Sequence, residues 1–275
     1  MSLITVSGLS FTPAQAIAKN VSSRLKYACI DREVFEEAAK HSGIAQAELE
    51  KAFVRSPAVF GLSRATRRQY TAHIQAALAS RFLQDNVLYY GQFGAHLVRG
   101  VPHLMHVHVR AKLEDRITSK IERDACSSAE ARKAIARQDK ERRALVRSLF
   151  SADDENDELY DVVIDASTTP VEAGVDLLVE AITQSRYRPS TFSIGCMEAQ
   201  DLASRVRAAL VDLEPEVAVR ADAGNVSIRY RARGLMRKRK VEIAQQRAAR
   251  IYGVKDVKIE VVEDVGDRIL GDARW

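Results

Sequence analysis

Apolar positions along this chain follow two alternating patterns. Short runs dense in apolar residues, LITVS at 3–7, YACI at 27–30, VLYYG at 87–91, HLMHVHVR at 103–110 and YDVVIDAS at 160–167, read as buried strands. Between them apolar residues recur every three or four positions, as in Ile17, Val21 and Leu25, or Tyr70, Ile74, Ala77 and Leu78. That spacing predicts helices over 13–26, 31–42, 45–53, 64–82, 94–100, 112–123, 127–150 and 170–184. Asp31 is placed to cap the second helix and Gly43 to end it. Strands alternating with helices predict a parallel sheet covered on both faces, an α/β domain over residues 1–185.

The pattern then changes. RYRPSTFSIG (186–195) carries Pro189 and no sustained period, so 186–197 reads as a linker. An amphipathic helix over 198–212 follows. Alternating strands at 216–221 and 225–233 flank Asp222-Ala223-Gly224, and a helix over 236–252 leads to a strand at 254–263. These predict a small α+β domain over 198–275. In its second strand Arg229, Arg231 and Arg233 share one face, and Ile228, Tyr230 and Ala232 the other.

Composition adds limits. The 275 residues, 46% apolar and 29% charged, suit one large or two modest folded domains. No run is long enough to span a membrane, and the N-terminus lacks a basic segment followed by an apolar core, so a cytoplasmic protein is expected. Cys29, Cys126 and Cys196 are far apart and without a CxxC pair, which argues against a disulfide framework or zinc ribbon. His106 and His108 share a strand face, but the sequence offers no third ligand and no metal site is expected.

The net charge of +5 is modest, and it matters because it is concentrated. After Arg229, Arg231 and Arg233, the residues Arg237, Lys238, Arg239 and Lys240 open the next helix, where the helix dipole disfavours cations. That concentration points to an anionic partner; a solvated edge beside Glu242 and Glu260 is the other reading.

Taken in order, ITVS, DREVFEEAAKHSGI, VLYYGQFGAHLV, HVHVRAKLEDRI, SSAEARKAIARQDKERR and YDVVIDAS resemble the cytidylate-kinase-like family, a branch of the P-loop nucleoside monophosphate kinases. The resemblance covers about two thirds of the chain and implies a P-loop-kinase-like parallel sheet flanked by helices. It also implies ATP and Mg²⁺ as cofactors wherever nucleotide binding is retained. By the same resemblance Ser7, Gly8, Thr12, Gln15, Asp31, Gln92 and Asp165 stand where nucleotide contacts are made. Arg132, Asp139 and Arg142 match lid residues that fold over the transferring phosphoryl group. A solvated helix with pairs such as Asp139–Arg143 is the alternative for that segment. The helix–strand–strand–helix–strand order over 199–263, with IYGVKDVKIEVV, is similar to a BON-type module.

The chain departs from the kinase pattern twice. Relatives show a GSGGR-like loop after the first strand, and here Phe11, Thr12, Pro13, Ala14 and Gln15 take its place. Glycines let the backbone curl round phosphate and a cation neutralises it; Pro13 removes a donor and Gln15 carries no charge. Gln92 likewise replaces the Arg of a Gly-Arg pair. Together these imply a catalytically weak or inactive protein that senses nucleotide or supports assembly, its second domain mediating partner or self-association as a homo-oligomer. The alternatives are an active kinase passing the ATP γ-phosphoryl group to CMP, UMP or dCMP, and a structural protein binding an anionic surface.

Overall fold

Five strands form the first sheet of the computed structural model, which describes residues 2–8, 11–54, 62–150, 152, 157–231 and 237–262. They are β1 (Leu3–Gly8), β2 (Ala28–Ile30), β3 (Val87–Tyr90), β4 (Leu104–Arg110) and β5 (Val162–Asp165). Their order is β2-β3-β1-β4-β5 and every pairing is parallel. Each crossover carries helix: α1 (Phe11–Leu25) leads to β2, and α2 (Glu33–Ser42), α3 (Gln46–Val54) and α4 (Arg64–Phe82) lead to β3. The short α5 (Gly94–Leu97) precedes β4. The pair α6 (Leu113–Asp124) and α7 (Ser128–Phe150) precedes β5, and α8 (Val171–Ala181) closes the unit.

Alternation along the central strands decides which helix covers which face. Ile4, Val6, Leu88, Met105, Val107 and Ile164 pack with Ile17, Ala18 and Val21 of α1 and with Val175 and Leu178 of α8. Leu3, Val87, Tyr89 and Leu104 meet Val34, Phe35, Phe53, Ile74, Leu78 and Phe82 on the opposite face. Most of these side chains are fully buried, each contributing on the order of 2 kcal/mol. The α6–α7 hairpin has a small core of its own in Ile117, Ala131 and Ile135, while Leu145 and Val146 near the end of α7 join the second of these faces.

Two sequence expectations change here. Asp31 does not cap α2: the helix begins at Glu33, the capping position is Arg32, and no side chain serves it. The Asp31 backbone N–H instead donates to Glu33 Oε2 at 2.8 Å. Gly43 does end that helix, in the left-handed conformation at φ 70°.

The stretch 186–197 is not a linker. Ser185–Tyr187 form a 3-10 turn, and α9 already begins at Thr191 and runs to Leu210. Ser190 Oγ accepts from the Ser193 N–H at 3.1 Å, while Ser193 Oγ accepts from the Ser190 N–H at 2.8 Å. This capping box uses Ser where Glu is usual, which hides the helix start from pattern reading.

α9 serves both units. Met197 joins the first core, while Leu202, Val206 and Leu210 enter a second one with Val226, Ile228 and Tyr230. The second sheet holds β6 (Ala218–Asp222), β7 (Asn225–Tyr230) and β8 (Asp256–Val261) in that order. β6 and β7 are antiparallel, turning at Ala223 and Gly224 with φ of 47° and 93°, and β8 is parallel to β7. α10 (Arg237–Ala249) brings Ala244 and Ala248 onto the covered face. Ser80 of α4 donates to Asp201 of α9 at 2.6 Å, and Arg68 pairs with Glu216 at 2.6 Å, tying the two units side to side. No helix among the described residues is long and apolar enough to cross a membrane.

Candidate functional site

The strand order creates a crevice. From β1 the chain crosses to β2 on one side, and after β3 it crosses back over β1 to β4. The loops after β1 and β3 therefore leave toward opposite faces, and the gap between them at the strand C-termini is where open α/β sheets bind ligands. Gly8 and the start of α1 border it on one side, and Gly91–Gly94 on the other.

The five positions that match the phosphate loop are helical, the helix starting two residues before the spacing predicts. Phe11–Gln15 form the first turns of α1, with Thr12 exposed, Gln15 half-buried and Ala14 sealed in the core. An α-helix points its N–H groups along its axis rather than curling them round a ligand, and Pro13 withholds one of the few left free at its start. Ser7 also turns away from the crevice. It is buried, donates to the Val107 carbonyl at 3.3 Å and lies 3.2 Å from His108 Nδ1.

Across the crevice, Gly91 and Gly94 are demanded by close approach. A Cβ at Gly91 would meet the Tyr89 hydroxyl at 2.4 Å, and one at Gly94 would meet the Thr5 Cβ at 2.8 Å. Between them Gln92 is exposed, and Phe93 takes the left-handed conformation at φ 65°. Phe93 holds this strained geometry because its ring is packed against Phe53, at 5.3 Å between centroids, and Phe150, at 5.7 Å.

The acidic candidates differ in their engagement. Asp31 is half-buried after β2, and burial raises its pKa. Asp165 ends β5 and its Oδ1 accepts the Ser167 N–H at 2.9 Å, so it shapes the turn that follows. Among the described residues no group of three His, Cys, Asp or Glu is arranged to hold a metal ion.

In the hairpin, Asp139 is clasped by Arg116 through two hydrogen bonds of 3.0 and 2.6 Å. Arg132 pairs with Glu114 at 2.8 Å, both largely exposed. Arg142 lies beside His96 and His108, with its Nε buried. Arg132 and Asp139 thus hold α6 to α7, and Arg142 faces the sheet.

A polar seam that sequence reading missed lies under that arginine. β1 and β4 pair in register, setting Thr5 opposite His106 and Ser7 opposite His108. Thr5 Oγ1 is 2.7 Å from His106 Nδ1. His96 stacks on Phe150 at 4.8 Å, and Arg99 lies 2.7 Å from its Nδ1. Burial pushes the pKa of His96, His106 and His108 down to about 4, with Arg142 adding to the effect at His96 and His108, so all three rings are neutral at pH 7. The signal was present in the alternation of T-V-S and H-V-H, but only strand register shows that the two motifs face each other.

The basic strip of the second unit divides. Arg229 and Arg231 lie on the face of β7 opposite buried Ile228 and Tyr230, as alternation predicts. Arg231 pairs with Glu216, and Arg229 Nε is 3.7 Å from Glu260. Lys238, Arg239 and Lys240 are exposed on α10; Arg233 and the side chain of Arg237 lie outside the described residues.

The family profile of the "Cytidylate kinase-like family" matches residues 3–168. Among solved structures the chain is similar to an uncharacterized protein from Eubacterium ventriosum ATCC 27560, with TM-score 0.51 and 13% identity over 66% of this chain and 97% of that one. That likeness shows the fold alone. A "putative kinase" from Chloroflexus aurantiacus J-10-fl aligns with TM-score 0.35 and 14% identity over 66% of this chain and 95% of that one. No curated protein matches the chain.

Proposed function

Since the chain belongs to the cytidylate kinase-like family, we propose that it is a catalytically weak or inactive member, using the kinase scaffold for nucleotide sensing or assembly. The observation that carries this reading is the helical conformation of Phe11–Gln15, the five positions that correspond to the phosphate loop. ATP with Mg²⁺ requires a backbone cradle, a neutralising cation and a free carboxylate. The residues present fit that group poorly. The cradle is a helix start from which Pro13 withholds an N–H, Gln15 and Gln92 are uncharged, and Asp165 is engaged by its own turn.

Recognition short of transfer has support. Asp31, half-buried beside the crevice, is an acceptor for a sugar hydroxyl, and Gln15 and Gln92 can donate hydrogen bonds to a phosphate oxygen without neutralising it. In this reading the second unit is BON-like, on its helix–strand–strand–helix–strand order, and mediates partner or self-association in a homo-oligomer. Exposed Lys238, Arg239 and Lys240 then meet an anionic partner.

One observation favours a second reading, an active kinase acting on CMP, UMP or dCMP. Arg142 lies on the sheet side of the hairpin, and its partly buried charge could replace the missing loop cation. The deciding assay is phosphoryl transfer from ATP–Mg²⁺ to each acceptor, with Arg142→Ala as control. The expected result is turnover at least a thousandfold below the ~10 s⁻¹ typical of enzymes, with calorimetric heat on adding CMP or ATP. Robust turnover abolished by Arg142→Ala would establish the active kinase, and no heat with any nucleotide would leave a structural role.

A further inference from the structure

A cavity of about 780 Å³ lies where α4, α9 and the uncovered face of the second sheet meet. Five cations line it: Arg68, Arg207, Arg220, Arg229 and Lys258. Its carboxylates are Glu216 and Glu260. Glu216 is already shared between Arg68, at 2.6 Å, and Arg231. Glu260 stands 3.7 Å from Arg229 Nε. The lining therefore holds more positive charge than its own acids offset.

Strand register organises part of that charge. Arg220 pairs across to Ser227, and Ser227 to Lys258, so one row across β6, β7 and β8 reads cation, hydroxyl, cation. Neighbouring strands are ~4.8 Å apart, which puts the two cations about 10 Å apart at their Cα atoms with a donor between them.

Arg207 supplies the second, independent observation. It projects from α9 into the wall of the cavity, and its Nη1 donates to Gln75 Oε1 at 3.2 Å. Its Nε is buried without an acceptor, and among the described residues no acidic side chain pairs with it; Arg68, another cation, is its charged neighbour. A half-buried guanidinium with one N–H left without an acceptor is costly, and an anion beside it relieves that cost.

We propose that this cavity binds a small phosphorylated molecule, with Arg207 and Lys258 neutralising the phosphate and Ser227 donating to it. The volume exceeds what inorganic phosphate alone needs and suits a ligand up to nucleotide size. Because Arg207 is held by Gln75 of the first unit and Lys258 belongs to the second, a ligand on both fastens one to the other. The site is separate from the strand-end crevice and stands whether or not that crevice binds nucleotide.

Calorimetry and thermal unfolding of the full chain with inorganic phosphate, pyrophosphate and CDP test this, against sodium chloride at matched ionic strength. The expected result is saturable binding with a rise in melting temperature that chloride does not reproduce. Arg207→Gln should weaken affinity tenfold or more and Lys258→Gln about fivefold. If Arg207→Gln does not fold, Lys258→Gln and Arg220→Gln decide, since both lie on an exposed sheet face. Saturation by phosphate and pyrophosphate alone identifies a phosphate site, and tighter binding of CDP a nucleotide-sized ligand; both sustain the proposal. No saturable binding, an equal effect of chloride, affinity unchanged in the variants, or binding of RNA but of none of the three small anions would overturn it.

Discussion

Replacing Asp201 with Ala should loosen the joint between the two units. Asp201 is 2% exposed on α9 and accepts from Ser80 Oγ of α4 at 2.6 Å. One turn later Arg205 donates from Nε to the same carboxylate at 2.8 Å. A hydrogen bond to a charged group contributes about 1.5–3 kcal/mol, and an i,i+4 pair with a partly exposed partner about 0.5 kcal/mol. Arg205 is 31% exposed at its side chain and also donates to the Tyr252 carbonyl at 2.8 Å, so it is not stranded by the change. The sum is a loss of about 3 kcal/mol, or a melting point lower by roughly 6–10 °C in a chain of this size. Urea unfolding of wild type, Asp201→Ala, Ser80→Ala and the double variant gives the pairwise term, expected to be at least about 1 kcal/mol. A loss below about 0.5 kcal/mol for Asp201→Ala, or strictly additive single changes, would refute this account of the joint.

Acid should act through the histidine seam. His96, His106 and His108 titrate near 4 when folded and near 6.5 when unfolded, so the unfolded chain binds more protons between those values. Stability is then full above about pH 6.5 and falls as the pH drops toward 4, by on the order of 3 kcal/mol per ring. His108→Phe, which keeps a ring over Tyr160, should make that fall shallower; equal slopes in the two proteins would count against it. In the hairpin, Asp139→Ala should strand Arg116, whose side chain is 10% exposed, and cost about 2 kcal/mol locally. Hydrogen exchange should then quicken over 113–150 with the sheet amides unchanged. If Arg116→Met with Asp139→Leu restores protection, the pair is a clasp; protection unchanged in Asp139→Ala would rule that out.

The α/β architecture was legible because its signals are local. Unbroken apolar runs gave the central strands, 3.6-residue spacing gave α4 at its observed limits, and Gly43 gave a helix end. The two departures from the kinase pattern, at 11–15 and at Gln92, are also plain in the chain, since a missing cation or glycine needs no coordinates to be seen. What tertiary structure decided depends on partners remote in sequence. The helix predicted from residue 13 starts at Phe11, and its face is fixed by Ala14, which packs in one core with Ile17, Val175 and Leu178, a contact that spans more than 150 residues. The expected linker became α9 because Met197 reaches the first core while Leu202 and Val206 fill the second, a division that no window centred on Pro189 contains. The histidine seam and the basic cavity exist only through strand register and helix docking. A sequence fixes which groups are charged or apolar, but burial and neighbours decide what that charge costs and what would relieve it.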